Sequence, residues 1–525
     1  MPSLLFAFLL LLSGGCRRTG AVAGPANRAG VLHLAAADDI PTLDPALGYD
    51  TASWAFEQMI FDTLVRYSAG GVELRPDLAT AWEASSDSRR FSFHLRRDAR
   101  FSTGRPVTAG DVKYAVQRVL DPKTRSQGMA YFRNIEGARA FTRGRAADVR
   151  GIETPDPWTL VFRLRAPDPL FVEKLAMPFA AALARQEVER WGEDFARHVV
   201  GSGPFMLQEW TGGQRIVLKR NPYYFAPSRP RLQAVAESLG VSEELQWLRF
   251  EAGELDLGAI APAEFPYVMK TPRLKALTKK IVTLSVNYLG MNCQMAPFDD
   301  RKVRRAFNYA INKQKLVALL NGRAMPARGV LPPGLPGYDP TIRGYPYDPA
   351  KARQLLAEAR VPQSFRPVLW LRADPTTLML GQSVQQDLAL VGIALDLKPV
   401  AWGPLLEAVR QPRTVELFLF GWEADFPDPE NFLAVLFSKK QWGANNDTFY
   451  FNPQVEALLA EAAPIADREE RYRLYRQAQR IIVSDAPWVF LFHPVTYVIR
   501  QPWVHGLVLN PMRPARLDTV VVAPH

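Results

Sequence analysis

Strand-like and helix-like patterns alternate along almost the whole chain, and this alternation restricts the fold more than any single motif does. Phe91-Ser92-Phe93-His94-Leu95-Arg96 alternates apolar and polar residues, as a half-buried strand should. Thr108-Ala109-Gly110-Asp111 has capping-box spacing, with Asp in place of Glu. It opens a helix carrying Val112, Ala115, Val116 and Val119 on one face, which Asp121-Pro122 ends. Trp158 to Leu164 and Ile216 to Lys219 read as further strands. Asp299-Asp300 opens a helix with Val303, Phe307, Ala310 and Ile311 on one face, expected to run until near Gly322. Asp348-Pro349 supplies an N-cap and a proline at the first helical position, starting a helix through Arg360. Another runs from about Arg468 to Ser484, with Tyr472, Tyr475, Ile481 and Ile482 inward. Such interleaving specifies an α/β protein. A chain of 525 residues exceeds what one hydrophobic core supports, so two or three units are expected. No repeat of solenoid period occurs. The stretch Val330 to Tyr338, rich in proline and glycine yet apolar, is expected to pack across a surface.

Charge and cysteine content narrow the class of partner. The net charge is +11, but the basic residues are scattered, and short clusters such as Arg301-Lys302-Val303-Arg304-Arg305 lie in helical patterns with acidic neighbours. Solvated helix faces explain them, and nucleic acid is not the expected partner. Two cysteines, Cys16 and Cys293, exclude a disulfide framework and a Cys-rich zinc site. Leu4 to Leu12 is too short to span a bilayer but suits the apolar core of a secretory signal. It closes on Leu12-Ser13-Gly14-Gly15-Cys16, which resembles the lipobox of bacterial lipoproteins. Residues 1–15 are therefore expected to be a signal peptide and Cys16 to be lipidated, with 16–30 a flexible tether. Ser13 stands where Leu is usual, and no basic residue precedes the apolar run, so a plain signal peptide is the alternative.

The most informative local segment is Phe418-Leu419-Phe420-Gly421-Trp422-Glu423-Ala424-Asp425-Phe426-Pro427-Asp428-Pro429. An apolar strand leaves the sheet at an acid beside aromatic surface and a Pro-Asp-Pro turn. A carboxylate placed there is costly to desolvate unless a cation or several hydrogen bonds meet it. The ammonium group of a ligand is one such cation; capping of the following turn or helix is the other reading. Enzyme motifs are missing. There is no G-x-S-x-G elbow, no Gly-Lys pair for a P-loop, and no metal-ligand spacing among the six histidines. Gly201-Ser202-Gly203-Pro204-Phe205 looks like a phosphate loop, but its proline and aromatic point to a fixed turn that feeds a strand.

These pieces, in order, resemble the family 5 extracellular solute-binding proteins of bacterial ABC importers, which include oligopeptide-, dipeptide- and nickel-binding proteins. The likeness rests on Thr42-Leu43-Asp44-Pro45, Arg75-Pro76-Asp77-Leu78-Ala79, Phe101-Ser102-Thr103-Gly104-Arg105-Pro106-Val107, the Gly201 to Phe205 turn and Arg220-Asn221-Pro222-Tyr223-Tyr224. Val303-Arg304-Arg305-Ala306-Phe307-Asn308-Tyr309-Ala310-Ile311 and the Gly421 to Pro429 segment complete the series.

The resemblance implies a two-lobed, periplasmic-binding-protein-like (type II, Venus-flytrap) α/β fold. Lobe I would take residues 31–61, 185–288 and 488–525, an inserted domain 62–184, and lobe II 289–487. The chain would cross between lobes near Leu284–Asn292 and Ala486–Phe492. The implied function is capture of a peptide in the interlobe cleft for delivery to an ABC permease and its ATPase, without catalysis, cofactor or metal. The protein would act as a monomer in the periplasm or at the cell surface. By the same resemblance Asp425 holds the peptide ammonium, Gly421 and Glu423 lend backbone groups, and Trp422 lines the cleft. Tyr131, Tyr49 and the segment to Trp54 contact ligand, and Arg410 and Arg372 are the matches for a far carboxylate. Glu423 also brings a second acid, which either favours cationic ligands or faces solvent. The alternative within the family is a non-peptide solute such as a metal chelate, opine or sugar. Outside it, a secreted hydrolase would need a catalytic Ser-His or metal site, and a ligand-sensing regulator an added output segment.

Overall fold

The computed structural model describes residues 30–512 and 516–525, so Cys16, the signal segment and the tether lie outside the described residues. The fold is α/β, built on three larger sheets, with two two-stranded ones beside them among the described residues. In the first, Val31–Ala35 runs parallel to Ala234–Ser238, followed by antiparallel Arg215–Arg220 and Phe205–Thr211. The second is antiparallel, in the order Ala79–Ala84, Arg90–Leu95, Thr159–Arg163, Ile152–Asp156. The third has eight strands, with Ser285–Met291 held between Leu417–Glu423 and the long strand Trp488–Arg500. Beyond Leu417–Glu423, Val368–Arg372 and Asp396–Val400 add in parallel.

Trp488–Arg500 is the strand that ties the molecule together. Its first part pairs with Ser285–Met291, and its last part with Thr278–Val282 and Leu257–Ala259. There it reaches the first sheet, because Asp256 accepts from the His33 amide at 2.7 Å.

Local rules explain most helix ends. Thr108 and Asp111 form the reciprocal capping box of Ala109–Leu120, and Asp348 caps Pro349–Glu358. The helix begun at Asp300 does not run on to Gly322. It ends at Ala310, and Asn312 caps a second helix, Lys313–Leu319. The Asn312 side chain accepts from the Lys315 amide at 3.1 Å, while its own amide donates to Asp387 at 2.9 Å. This local alternative to the helical hydrogen bond stops the first helix. The Gly201 to Phe205 turn feeds Phe205–Thr211. A Cβ on Gly201 would lie 1.9 Å from the Ile60 carbonyl oxygen, so main chain approaching main chain explains that glycine. Val330, Leu331 and Leu335 of the Pro/Gly-rich stretch are buried in a core with Phe418, Phe432 and Trp488.

Candidate functional site

The segment that ends Leu417–Glu423 builds the site. Asp425 does not cap the next helix. Asp428 does, accepting from the Glu430 amide at 3.0 Å at the start of Pro429–Phe437. Asp428 is also paired with Arg471 at 2.8 Å, both side chains buried. This leaves Asp425 free for another partner. Its neighbour Phe426 is 1% exposed, belongs to the same core cluster as Phe132, Phe171 and Phe179, and meets the Tyr131 ring edge-on. The turn is thus pinned on both sides, by an ion pair behind and an aromatic plug in front.

Asp425 is only 8% exposed, and three side chains donate to its Oδ2: Tyr131 Oη at 2.7 Å, Tyr49 Oη at 2.9 Å and Asn431 Nδ2 at 2.9 Å. Asn431 also accepts from the Asp425 amide at 2.9 Å and from the Trp422 indole at 3.2 Å, fixing strand end and carboxylate together. Burial raises the Asp425 pKa, and the hydrogen bonds from Asn431, Tyr131 and Tyr49 oppose the rise. Among the described residues no Lys or Arg pairs with it. Burial, with Asp425 next, pushes both tyrosines well above their ordinary pKa, so they remain neutral donors.

The tyrosine hydroxyls are also 2.9 Å from one another. Three oxygen–oxygen contacts are therefore served by two phenolic protons. One contact lacks a proton unless the carboxyl is itself protonated or a ligand donates. A buried carboxylate so arranged can bind an outside cation and accept its hydrogen bonds.

Asp425 opens onto a cavity of about 380 Å³. Tyr49, Trp54, Gly421, Trp422, Glu423 and Arg410 line it, so most of the residues singled out from the sequence converge here. Gly421 is exposed and leaves main chain accessible at the strand edge. Glu423 is half-buried. Tyr131 reaches the site through Asp425 and the Tyr49 hydroxyl. Arg410 donates from Nε to the Ala444 carbonyl at 3.0 Å. Arg372 is not brought in: it ends Val368–Arg372, half-exposed, 3.8 Å from both Asp38 and Asp374. Sequence reasoning missed Asn431, Asp447 and Trp402. Asn431 had a readable signal, since it and Glu430 are polar residues in the first turn of an otherwise apolar helix. Cys293 has its thiol pushed up to about 11 by burial and lies outside the cavity lining.

Ion pairs also join segments away from the cavity lining. Lys174 sits 2.8 Å from Asp168 and 3.4 Å from Glu430, Arg468 is 3.6 Å from Glu173, and Arg323 is 3.8 Å from Glu243. No described helix is long and apolar enough to cross a membrane.

This geometry is that of a two-lobed clamp around a solute, and comparison with known proteins agrees. The family described as bacterial extracellular solute-binding proteins, family 5 (middle) matches residues 73–444, and the chain belongs to that family. It is 30% identical to heme-binding protein A of Haemophilus influenzae, over 89% of this chain and 88% of that one. It is also 30% identical to the probable D,D-dipeptide-binding periplasmic protein DdpA of Escherichia coli, over 92% of each. Among solved structures, the periplasmic binding protein DppA of Helicobacter pylori in complex with the peptide STSA superposes with a TM-score of 0.81 at 29% identity, covering 94% of this chain and 98% of that one.

Proposed function

We propose that this protein is the extracytoplasmic binding component of an ABC importer and captures short peptides with their ammonium end on Asp425. One observation carries the reading: a buried carboxylate ringed by neutral donors, with no cation paired to it among the described residues, at the wall of a cavity between distant segments. The relatives named for a dipeptide and the solved peptide complex support it. Gly421 and Glu423 would pair through main chain with an extended ligand, giving affinity independent of its sequence, while Trp422 forms a wall. Arg410 would receive the far carboxylate. The lobes would be residues 31–61, 185–288 and 488–525 on one side and 289–487 on the other, with 62–184 inserted. Ligand contacts made only when they meet would favour closure. Cys16 would tether the protein to a membrane facing the periplasm or exterior, where it delivers peptide to a permease as a monomer, without catalysis. A neutral solute such as a sugar would leave the Asp425 charge uncompensated, which favours peptide over sugar.

Native mass spectrometry of freshly purified protein is expected to show bound peptide masses, and calorimetry to detect trialanine binding. N-acetyl-trialanine, which cannot be a cation at its N-terminus, is expected to bind at least about 30-fold more weakly, the low end of a lost charge pair. Equal affinity for the two would refute the ammonium anchor.

A pH dependence follows from the same contact. The empty site holds the Asp425 pKa above its ordinary value, whereas a bound ammonium favours the ionised form. Affinity is thus full above the raised value and falls as pH drops through it, with proton release on binding there. Above about pH 8 the peptide ammonium itself deprotonates and affinity falls again. Calorimetry across pH, repeated in two buffers of different ionisation enthalpy, reads both limbs; an acid limb unchanged in Asp425→Asn would refute the assignment.

A further inference from the structure

The chain carries a net charge of +11, yet the cavity is acidic. Among the described residues, Asp50, Glu423, Asp425 and Asp447 line it against one arginine, Arg410. Three of these acids are engaged: Asp425 holds the tyrosine pair, Asp50 caps Thr51–Ile60 by accepting from the Ser53 amide at 2.8 Å, and Glu423 has a partner of its own. Asp447 is different. It is 7% exposed, lines the cavity, and its buried Oδ1 has no hydrogen-bond partner among the described residues.

The loop around Asp447 is rigid, which excludes a carboxylate that has merely been left loose. Asn446, fully buried, donates to the carbonyls of Ser438 and Tyr450 and accepts from the Tyr450 amide and the Thr448 hydroxyl. Cys293 donates its amide to the Thr448 carbonyl, and Arg410 donates to Ala444. Neighbours on both sides of Asp447 are therefore fixed, and its side chain is held in the cavity wall. Arg410 forms no ion pair with it; the guanidinium only moderates the rise to about 7 that burial imposes on the Asp447 pKa. Burying a carboxylate without a partner is unfavourable, and one held at a cavity wall is placed for a group from outside the chain to complete it.

We infer that Asp447 is a second cation-binding position in this cavity, and that the protein prefers peptides carrying a basic side chain. The aromatic lining suits the same ligand, since Trp402, Tyr288 and Phe420 border the space and aromatic rings attract a cation. The acid, the aromatics and Arg410 together define a guest with two positive groups and one negative. That is a short peptide with a free N-terminus, a free C-terminus and one Lys or Arg. The inference rests on the peptide reading above and adds side-chain selectivity to it.

The test uses the whole protein and six tripeptides: a trialanine scaffold bearing a single lysine or a single norleucine at each position. Norleucine keeps the aliphatic stem and removes the charge. Calorimetry is expected to show, at one position, lysine bound at least tenfold tighter than norleucine. In Asp447→Asn this ratio is expected to fall to within twofold. A ratio near one at all positions in the unmodified protein overturns the inference, as does a ratio that survives in Asp447→Asn. Failure of all six peptides to bind would overturn the peptide reading itself, a different result. Thermal unfolding of the empty protein separates a structural role: Asp447→Asn is expected to melt at the same or a higher temperature, because no folded-state partner of Oδ1 is lost. A marked fall in melting temperature would assign Asp447 to the fold instead.

Discussion

Replacing Asp425 with alanine is expected to weaken trialanine binding by about 2–5 kcal/mol, the cost of removing one partner of a desolvated, hydrogen-bonded charge pair. At about 1.4 kcal/mol per decade, that is on the order of 30-fold to several thousand-fold in affinity. The effect is large because the acid is already buried and already oriented. Tyr49, Tyr131 and Asn431 hold Oδ2, so an arriving ammonium meets a fixed anion rather than a mobile side chain. Asp425→Asn separates charge from shape. It keeps an acceptor for the tyrosines but cannot neutralise a cation, and is expected to lose most of the affinity as well. Stability should move the other way. A carboxyl whose pKa is raised on folding costs the folded state increasingly as pH climbs above the unfolded value. Removing the charge relieves that cost, so empty Asp425→Asn is expected to be at least as stable as the unmodified protein at neutral pH. Affinity unchanged in either variant by calorimetry would show that the ligand is held elsewhere.

How the site was legible from residues alone follows from which interactions are local. Asp425 could be singled out because strand end, aromatic neighbours and Pro-Asp-Pro turn lie within a dozen residues. The caps at Thr108, Asp300 and Asp348 are likewise local rules, and the structure follows them. The partition of labour between Asp425 and Asp428 was not legible, since it depends on Arg471, 43 residues away. Tyr49 and Tyr131 lie 376 and 294 residues from Asp425, and no pattern along the chain states that their hydroxyls meet on one oxygen. They were found only through resemblance. Arg372 shows the reverse failure. An arginine at a strand end near the site in sequence order faces Asp38 and Asp374 instead. Asp447 carries no periodic or motif signal at all; its place in the cavity wall comes from the Asn446 turn and is visible only once the loop is folded.

Asp428→Ala is expected to be the most destabilising single change near the site, at about 3–5 kcal/mol. That is the range for breaking a buried ion pair and stranding its partner. The Asp428 and Arg471 side chains are 3% and 2% exposed and 2.8 Å apart. Arg471 keeps one contact to the Ile465 carbonyl at 2.9 Å, which cannot neutralise its charge. The same substitution removes the N-cap of Pro429–Phe437, worth about 1 kcal/mol on its own. Asn431 lies in the first turn of that helix, so fraying there loosens the clamp on Asp425 and affinity should fall in molecules that stay folded. Because the penalty comes from the stranded guanidinium rather than from a lost attraction, Asp428→Ala combined with Arg471→Met should recover much of the stability. Chemical denaturation of the two variants reads the difference. A loss below about 1 kcal/mol in Asp428→Ala, the range of an exposed pair, would mean that water reaches Arg471 and that the turn carrying Asp425 is not anchored from behind.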